Sequence, residues 1–123
     1  MRFLMMHRLD ERAPDAWNPS QEFMTKMGAF IQDAIDKGIL ITAEGVHTSD
    51  KGALVRKGRG AAVTATDGPF TEAKEVIGGF ALVNFPDRAA AVEFAERYAE
   101  LFDEVEVEVR QVVEFEDLPG AQG

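Results

Sequence analysis

The chain has 123 residues, of which 46% are hydrophobic and 28% are charged, a composition typical of one globular domain. Its formal net charge of −9 argues against nucleic acid and anionic membranes as partners, because both attract basic surfaces, and the absence of cysteine excludes disulfides and cysteine-ligated metals. No apolar run approaches the ~20 residues of a membrane-spanning helix, so we expect a soluble, cytoplasmic protein.

The first part of the chain predicts a strand, a loop and a helix. Residues 2–8 form an apolar strand, and residues 9–19, which include Trp17, form a polar loop. Ser20 is a typical helix N-cap and Gly38 a typical C-terminal stop. Between them, apolar residues recur at helical spacing: Phe23, Met24, Met27, Phe30, Ile31, Ala34 and Ile35.

Several strands follow this helix. One is predicted over residues 39–44, and two short ones over 53–56 and 61–66 form a hairpin around a glycine-rich turn. The longest strand covers residues 76–85 and ends at Pro86.

A second helix and a last strand complete the pattern. Asp87 caps the helix, and Glu93 is expected to pair with Arg97 on its outer side. Its inner face is predicted to comprise Val92, Phe94, Ala95, Tyr98, Ala99, Leu101 and Phe102. Between residues 104 and 114, valine and glutamate then alternate as in a half-exposed strand.

This order of elements predicts an α+β fold, a ferredoxin-like βαββαβ plan with an extra hairpin, as one domain over residues 1–117 with a flexible tail at 118–123. Strands 3–6 and 76–85 are apolar on both faces, whereas two helices cover only one face of such a sheet. We therefore expect a homodimer in which the uncovered faces pack together. A long loop folded over the open face is the alternative.

The segment 67–75 is the first candidate for a functional site. Asp67-Gly68-Pro69 is a turn sequence, which structure alone could require, and polar residues follow it between two buried strands: Thr71, Glu72, Lys74 and Glu75. A carboxylate beside an ammonium group can bind a polar ligand or act as an acid–base pair. An exposed ion pair without a function is the alternative.

The two histidines are the remaining candidates. His7 lies at the end of the first strand on the face of Phe3, where it can act as a general base with Asp67 or make a structural hydrogen bond. His47 and Glu44 have the Glu-x-x-His spacing of some metal sites, but a strand places them on opposite faces. We therefore expect no metal and keep His47 and Glu44 as candidate ligand-binding residues.

The hairpin offers no cofactor site. Gly58 and Gly60 resemble the start of a dinucleotide fingerprint, but Val63 occupies the third glycine position and no helix follows. The basic residues around this turn are most simply solvated, with an anion-binding patch as the alternative: Lys51, Arg56, Lys57 and Arg59. We expect the chemistry to need neither a cofactor nor a metal.

Three motifs together resemble the signature of the YCII-related family, the DGPF-domain proteins. They are Asp67-Gly68-Pro69-Phe70, the Glu72-x-Lys74-Glu75 that follows, and Gly78-Gly79-Phe80, with weaker support from residues 43–46 and 106–110. The resemblance covers most of the chain and implies ferredoxin-like domains that pair as a dimeric α/β barrel. It implies a functional role for Asp67 first, and then for Glu72, Lys74 and Glu75.

Two functions are compatible with these features. The first is a small-molecule enzyme or binding protein whose cleft is lined by residues 67–75 and His7, working by metal-free acid–base chemistry. The second is a non-catalytic interaction module, for example a partner of an extracytoplasmic-function sigma factor, as the resemblance implies. Its docking surface would be acidic, although a solvated face is the alternative: Glu93, Glu96, Glu100, Asp103, Glu104, Glu106 and Glu108.

Overall fold

The computed structural model describes residues 1–13 and 18–120, so Trp17 of the predicted loop lies outside the described residues. The described residues form two helices and six strands: β1 (Arg2–Leu9), α1 (Gln21–Asp36), β2 (Leu40–Gly45), β3 (Ala53–Lys57), β4 (Val63–Asp67), β5 (Val76–Asn84), α2 (Arg88–Ala99) and β6 (Glu106–Gln111). Short 3-10 turns cover Ser49–Lys51 and Phe115–Asp117. Each predicted element is present. β4 begins two residues later and β6 ends three residues earlier than expected, and α2 ends at Ala99, so Leu101 and Phe102, predicted on its inner face, lie beyond the helix.

Four strands form an antiparallel sheet in the order β2-β5-β1-β6. β3 and β4 form a separate two-stranded sheet, the predicted hairpin. The fold is therefore the ferredoxin-like α+β plan that the order of elements predicts. Neither helix in the described part of the chain is long and apolar enough to cross a bilayer.

Helix α1 begins at the predicted cap. The Ser20 side chain accepts a hydrogen bond from the Phe23 N–H at 3.1 Å, and Gly38 follows the helix with a φ of 70°. Met24 and Ile35, both predicted to lie in the apolar stripe, are 53% and 50% exposed. One helix face packs on the sheet, so positions at the border of the stripe stay in contact with solvent.

Helix α2 is also capped as predicted, since the Asp87 side chain accepts a hydrogen bond from the Ala90 N–H at 2.9 Å. Val92, predicted on the inner face, is 38% exposed because the buried face is centred on Ala91, Phe94 and Ala95.

The predicted Glu93–Arg97 ion pair is wrong. Among the ion pairs of the described residues none joins these two side chains. The Arg97 guanidinium lies instead 5.6 Å from the centre of the Phe94 ring and 5.9 Å from that of Phe30. A guanidinium stacks well over aromatic rings, and this contact competes with an exposed ion pair that is worth little.

The two faces of the four-stranded sheet differ. On one face the sheet packs on both helices, and the core consists of Phe3, Met5, Ala34, Val83, Ala91, Phe94 and Ala95. On the other face β1 and β5 place Leu4 beside Leu82 and Met6 beside Phe80. We term this second side, with Leu4, Met6, Phe80 and Leu82 at its centre, the open face. Because both helices lie on the opposite side, no helix of the described residues covers the open face.

Candidate functional site

His7 lies on the helix side of β1, near the end of α2. Its Nδ1 is 2.8 Å from the Tyr98 hydroxyl oxygen, and its ring centre is 5.6 Å from that of Phe102. Burial lowers the pKa of His7 below its ordinary value and raises the pKa of Tyr98 to about 12. At neutral pH the imidazole is therefore mainly uncharged and the phenol keeps its proton.

The Tyr98 hydroxyl selects one tautomer of His7. A buried hydroxyl needs an acceptor for its proton, and Nδ1 is the acceptor within reach. We therefore assign the Tyr98 O–H as the donor to Nδ1, which leaves the single proton of the neutral imidazole on Nε2. In this state His7 presents an N–H donor at Nε2.

Gly78 and Gly79 lie directly against the His7 ring. The register of β5 against β1 shifts after His7, which places a β-bulge at these two glycines. A Cβ atom at Gly78 would lie 2.7 Å from Nε2 of His7, and one at Gly79 would lie 2.8 Å from Cε1 and 2.9 Å from the Glu44 carbonyl oxygen. These distances are too short for real contacts, so the imidazole occupies space that only glycine leaves open.

A shallow depression lies beside the bulge, where the ends of β1, β2 and β5 meet. Leu9, Glu11, His47 and Gly78 are among the residues that line it, so Gly78 borders both the depression and the His7 ring. It encloses about 10 Å³, which is room for one water molecule.

The predicted turn at residues 67–70 fastens the hairpin to the sheet end. Asp67 ends β4, and the Gly68–Pro69 peptide bond is cis. The Gly68 N–H donates to the Gly52 carbonyl oxygen at 2.8 Å. A Cβ atom at Gly68 would lie 1.7 Å from the carbonyl oxygen of Ser49, so the chain passes too close here for any side chain.

Ser49 joins three segments at this point. Its side chain is buried, its Oγ accepts a hydrogen bond from the Phe70 N–H at 2.8 Å, and its hydroxyl donates to a Glu11 carboxylate oxygen. The Ser49 N–H donates to the other Glu11 oxygen at 2.6 Å. We term Glu11, Ser49, Gly68 and Phe70 the clasp. Sequence reasoning missed Glu11 and Ser49, because no local pattern links residues so far apart in the chain.

The other predicted site residues are dispersed. Asp67 is exposed and, among the described contacts, makes no hydrogen bond or ion pair with His7. Glu72, Lys74 and Glu75 are exposed in the segment between the clasp and β5. Glu44 is exposed on β2, opposite Phe80, which places its side chain on the open face.

Lys74 lies near the loop that follows β1. Hydrogen bonds from the Arg12 backbone N–H and then from its guanidinium are the main reasons that the pKa of Asp10 is lowered, and Lys74 adds a smaller attraction. The structure thus brings His7, Glu11, His47 and Lys74 toward one end of the sheet. Tyr98 was predicted only as a buried helix residue, and its hydrogen bond to His7 was missed.

The acidic surface of α2 and β6 is exposed as expected, except for Glu108, which Arg8 and Arg110 bind at 2.6 and 3.1 Å. A sigma-factor partner for this surface stays a prediction. Within residues 1–13 and 18–120, no group of three or more histidine, aspartate or glutamate side chains is arranged to hold a metal ion.

A family model described as the YCII-related domain matches residues 1–116 of the chain. The comparison with curated proteins finds no match.

Proposed function

The chain belongs to the YCII-related family, and we propose that it is a cytoplasmic homodimer that binds or transforms a small polar molecule by metal-free acid–base chemistry. The observation that carries this proposal is the neutral His7, held by Tyr98 against the glycine bulge. Half-buried imidazoles whose charge is set by burial and whose tautomer is set by a neighbour are typical of acid–base sites.

The tautomer defines the role that we propose for His7. With Nδ1 occupied by the Tyr98 hydroxyl, Nε2–H is the group available to a ligand, and it would donate a hydrogen bond to a carbonyl or carboxylate oxygen. Neutral imidazole polarises such an oxygen without placing a buried positive charge. The ligand would bind at the end of the sheet, with His47 and Lys74 as further polar contacts and Asp67, Glu72 and Glu75 as candidates on the adjoining segment.

The open face supports the homodimer. Leu4, Met6, Phe80 and Leu82 are half-buried and adjacent in register, and they form an apolar surface that no helix of the described residues covers. Ion pairs flank this surface, at Arg8–Glu108 and Arg2–Glu114, with N–O distances of 2.6 and 2.7 Å. A second copy can place its own open face against this one, because a twofold axis brings identical apolar patches together.

The binding proposal is tested by nuclear magnetic resonance on ¹⁵N-labelled protein. Before any addition we expect a protonated Nε2 and an unprotonated Nδ1 at His7, read from the two imidazole nitrogen shifts. Acetate, malonate and pyruvate serve as probes of oxygen-ligand binding, and at least one of them should shift the Gly78 and Gly79 amide resonances in a saturable way. The His7→Leu variant should lose these shifts, because its side chain has no hydrogen-bond donor.

The Lys37→Gln variant is the matched surface control, since Lys37 caps the far end of α1 and forms an exposed ion pair with Asp33. It should bind the probes as the wild type does. Shifts of equal size in His7→Leu, or a complete lack of saturable shifts with all three probes, would refute the role of His7.

A further inference from the structure

The hairpin of β3 and β4 is the part of the described chain least attached to the rest. Its strands pair with each other from Ala53–Asp67 to Lys57–Val63, and the clasp holds only its base. Val55 and Val63 are 68% and 59% exposed. An isolated two-stranded hairpin is marginally stable in water, so a surface that covers these exposed valines would stabilise this hairpin.

The two faces of the hairpin differ in polarity. The register shows that one face of the hairpin is apolar and carries a single cation, Lys57. This face consists of Ala53, Val55, Lys57, Val63 and Ala65, with Asp67 at the base. The opposite face carries Leu54, Arg56, Thr64 and Thr66. Lys57 and Arg56 are therefore neighbours in sequence that project from opposite faces, and only Lys57 shares a face with the exposed valines.

The hairpin is also opposite in charge to the remainder of the chain. Residues 51–66 contain four cations and no carboxylate, so the remainder carries a formal charge of −13 while the whole chain carries −9. In the part of the chain that the structure describes, none of Lys51, Arg56, Lys57 and Arg59 takes part in an ion pair. A second copy of this chain therefore attracts the hairpin electrostatically.

The open face has an apolar surface that can cover the hairpin valines and carboxylates that can pair with Lys57. Beside its apolar centre, it carries Glu44, in register with Phe80, and Glu106, in register with Arg8. Both carboxylates are exposed and, within the described residues, neither is in an ion pair. They lie on the two edge strands of the sheet, β2 and β6, at the border of the apolar centre.

We propose that the hairpin of each copy docks at the border of the second copy's open face, beside the paired sheets, with Val55 and Val63 against the edge of the apolar centre and Lys57 beside the second copy's Glu44 or Glu106. The inference rests on the proposed homodimer. It assigns a role to the β3–β4 hairpin, whose apolar face would stay exposed if only the two sheets were in contact. It also explains why the clasp is built tightly, since Ser49 and Gly68 fix the direction in which the hairpin leaves its own sheet.

Sedimentation velocity at physiological salt tests the docking with two variants that differ by one position. Lys57→Glu places a carboxylate on the apolar face and should raise the dimer dissociation constant by about tenfold or more. Arg56→Glu makes the same change of charge on the opposite face and should raise it by less than about threefold. Equal effects of the two variants would overturn the proposal, because a general charge effect does not depend on the face.

Charge exchange identifies the partner residue. Combining Lys57→Glu with Glu44→Lys or with Glu106→Lys restores opposite charges across the interface, and one of the two combinations should return the dissociation constant to within about threefold of the wild type. Restoration by neither combination overturns the assignment of Lys57 to the open face.

A third variant separates this inference from the homodimer itself. Leu82→Asp places a charge at the centre of the open face and should yield monomers whose circular dichroism shows a folded chain. If Leu82→Asp dissociates the dimer while Lys57→Glu leaves it intact, only the docked hairpin is refuted. If Leu82→Asp remains a dimer of wild-type affinity, the paired open faces are refuted as well.

Discussion

At the scale of single residues, the candidate site depends on two glycines as much as on the side chains that line it. The sequence identifies Gly78-Gly79 only as part of a motif, whereas the structure shows that the pair makes room for the His7 imidazole. Sequence reasoning placed His7 on the correct face of β1, because strand periodicity fixes the side on which a residue projects. It could not find Tyr98 or the bulge, since both depend on how distant segments meet.

Alanine at the bulge is expected to lower the free energy of unfolding. Gly79→Ala should cost about 2–4 kcal/mol, because the new methyl group meets both the His7 ring and the rigid Glu44 carbonyl oxygen. Gly78→Ala should cost about 1–3 kcal/mol, since its neighbours are the ends of the Leu9 and His7 side chains. Urea unfolding at neutral pH measures both.

A second substitution shows whether the new alanine methyl group clashes with the His7 ring or with the backbone. Adding His7→Ala should recover part of the loss in Gly78→Ala but little of the loss in Gly79→Ala, where backbone remains in the way. Gly28→Ala is the control, because it lies inside α1 with no atom within 4 Å of its added Cβ, and it should stabilise the protein by about 0.5–1 kcal/mol. A fully stable Gly79→Ala variant would contradict this account of the bulge.

At the scale of elements, the clasp gives the turn at residues 67–70 a structural role, and this role does not require the turn to take part in a reaction. Asp67-Gly68-Pro69-Phe70 was predicted as a turn, and the structure confirms a turn that ends β4. Its partners were not predictable, because Glu11 and Ser49 belong to the β1–α1 loop and to the turn before β3. A local pattern defines a turn, whereas the surface on which the turn rests depends on the whole topology.

Removing the Ser49 hydroxyl tests the clasp. Ser49→Ala leaves the Phe70 N–H without its acceptor and removes one donor to Glu11, so it should cost about 1–3 kcal/mol of unfolding free energy. Hydrogen exchange at the Phe70 amide should become faster, since that N–H loses its bond. Thr48→Ala is the neighbouring control, because the Thr48 hydroxyl donates to Asp50 at an exposed position, and it should cost less than about 0.5 kcal/mol. Unchanged Phe70 exchange in Ser49→Ala would argue that the clasp does not hold the hairpin base.

At the scale of the whole molecule, periodicity was sufficient for the architecture. The order of strands and helices, and the apolar character of both faces of β1 and β5, follow from the pattern of residues alone. The pattern failed at the borders of helix faces, as at Met24 and Val92, because periodicity gives the centre of a buried face more reliably than its width. The two-sided strands also imply that the stability of the fold depends on what covers the open face.

If two copies cover that face for one another, unfolding is coupled to dissociation and depends on protein concentration. Raising the concentration from about 1 to about 100 µM should move the urea midpoint of the wild type upward, because each tenfold step adds about 1.4 kcal/mol per dimer. The Leu82→Asp chain should unfold at a midpoint that is the same at both concentrations, since a charge at the centre of the open face prevents pairing. Asn84→Asp adds the same charge to an already exposed position of β5, at the strand end, and should keep the concentration dependence. The proposed pairing would be contradicted if the wild-type chain sediments as a monomer and its urea midpoint is the same at both concentrations. A single copy would then be stable with its open face in contact with water.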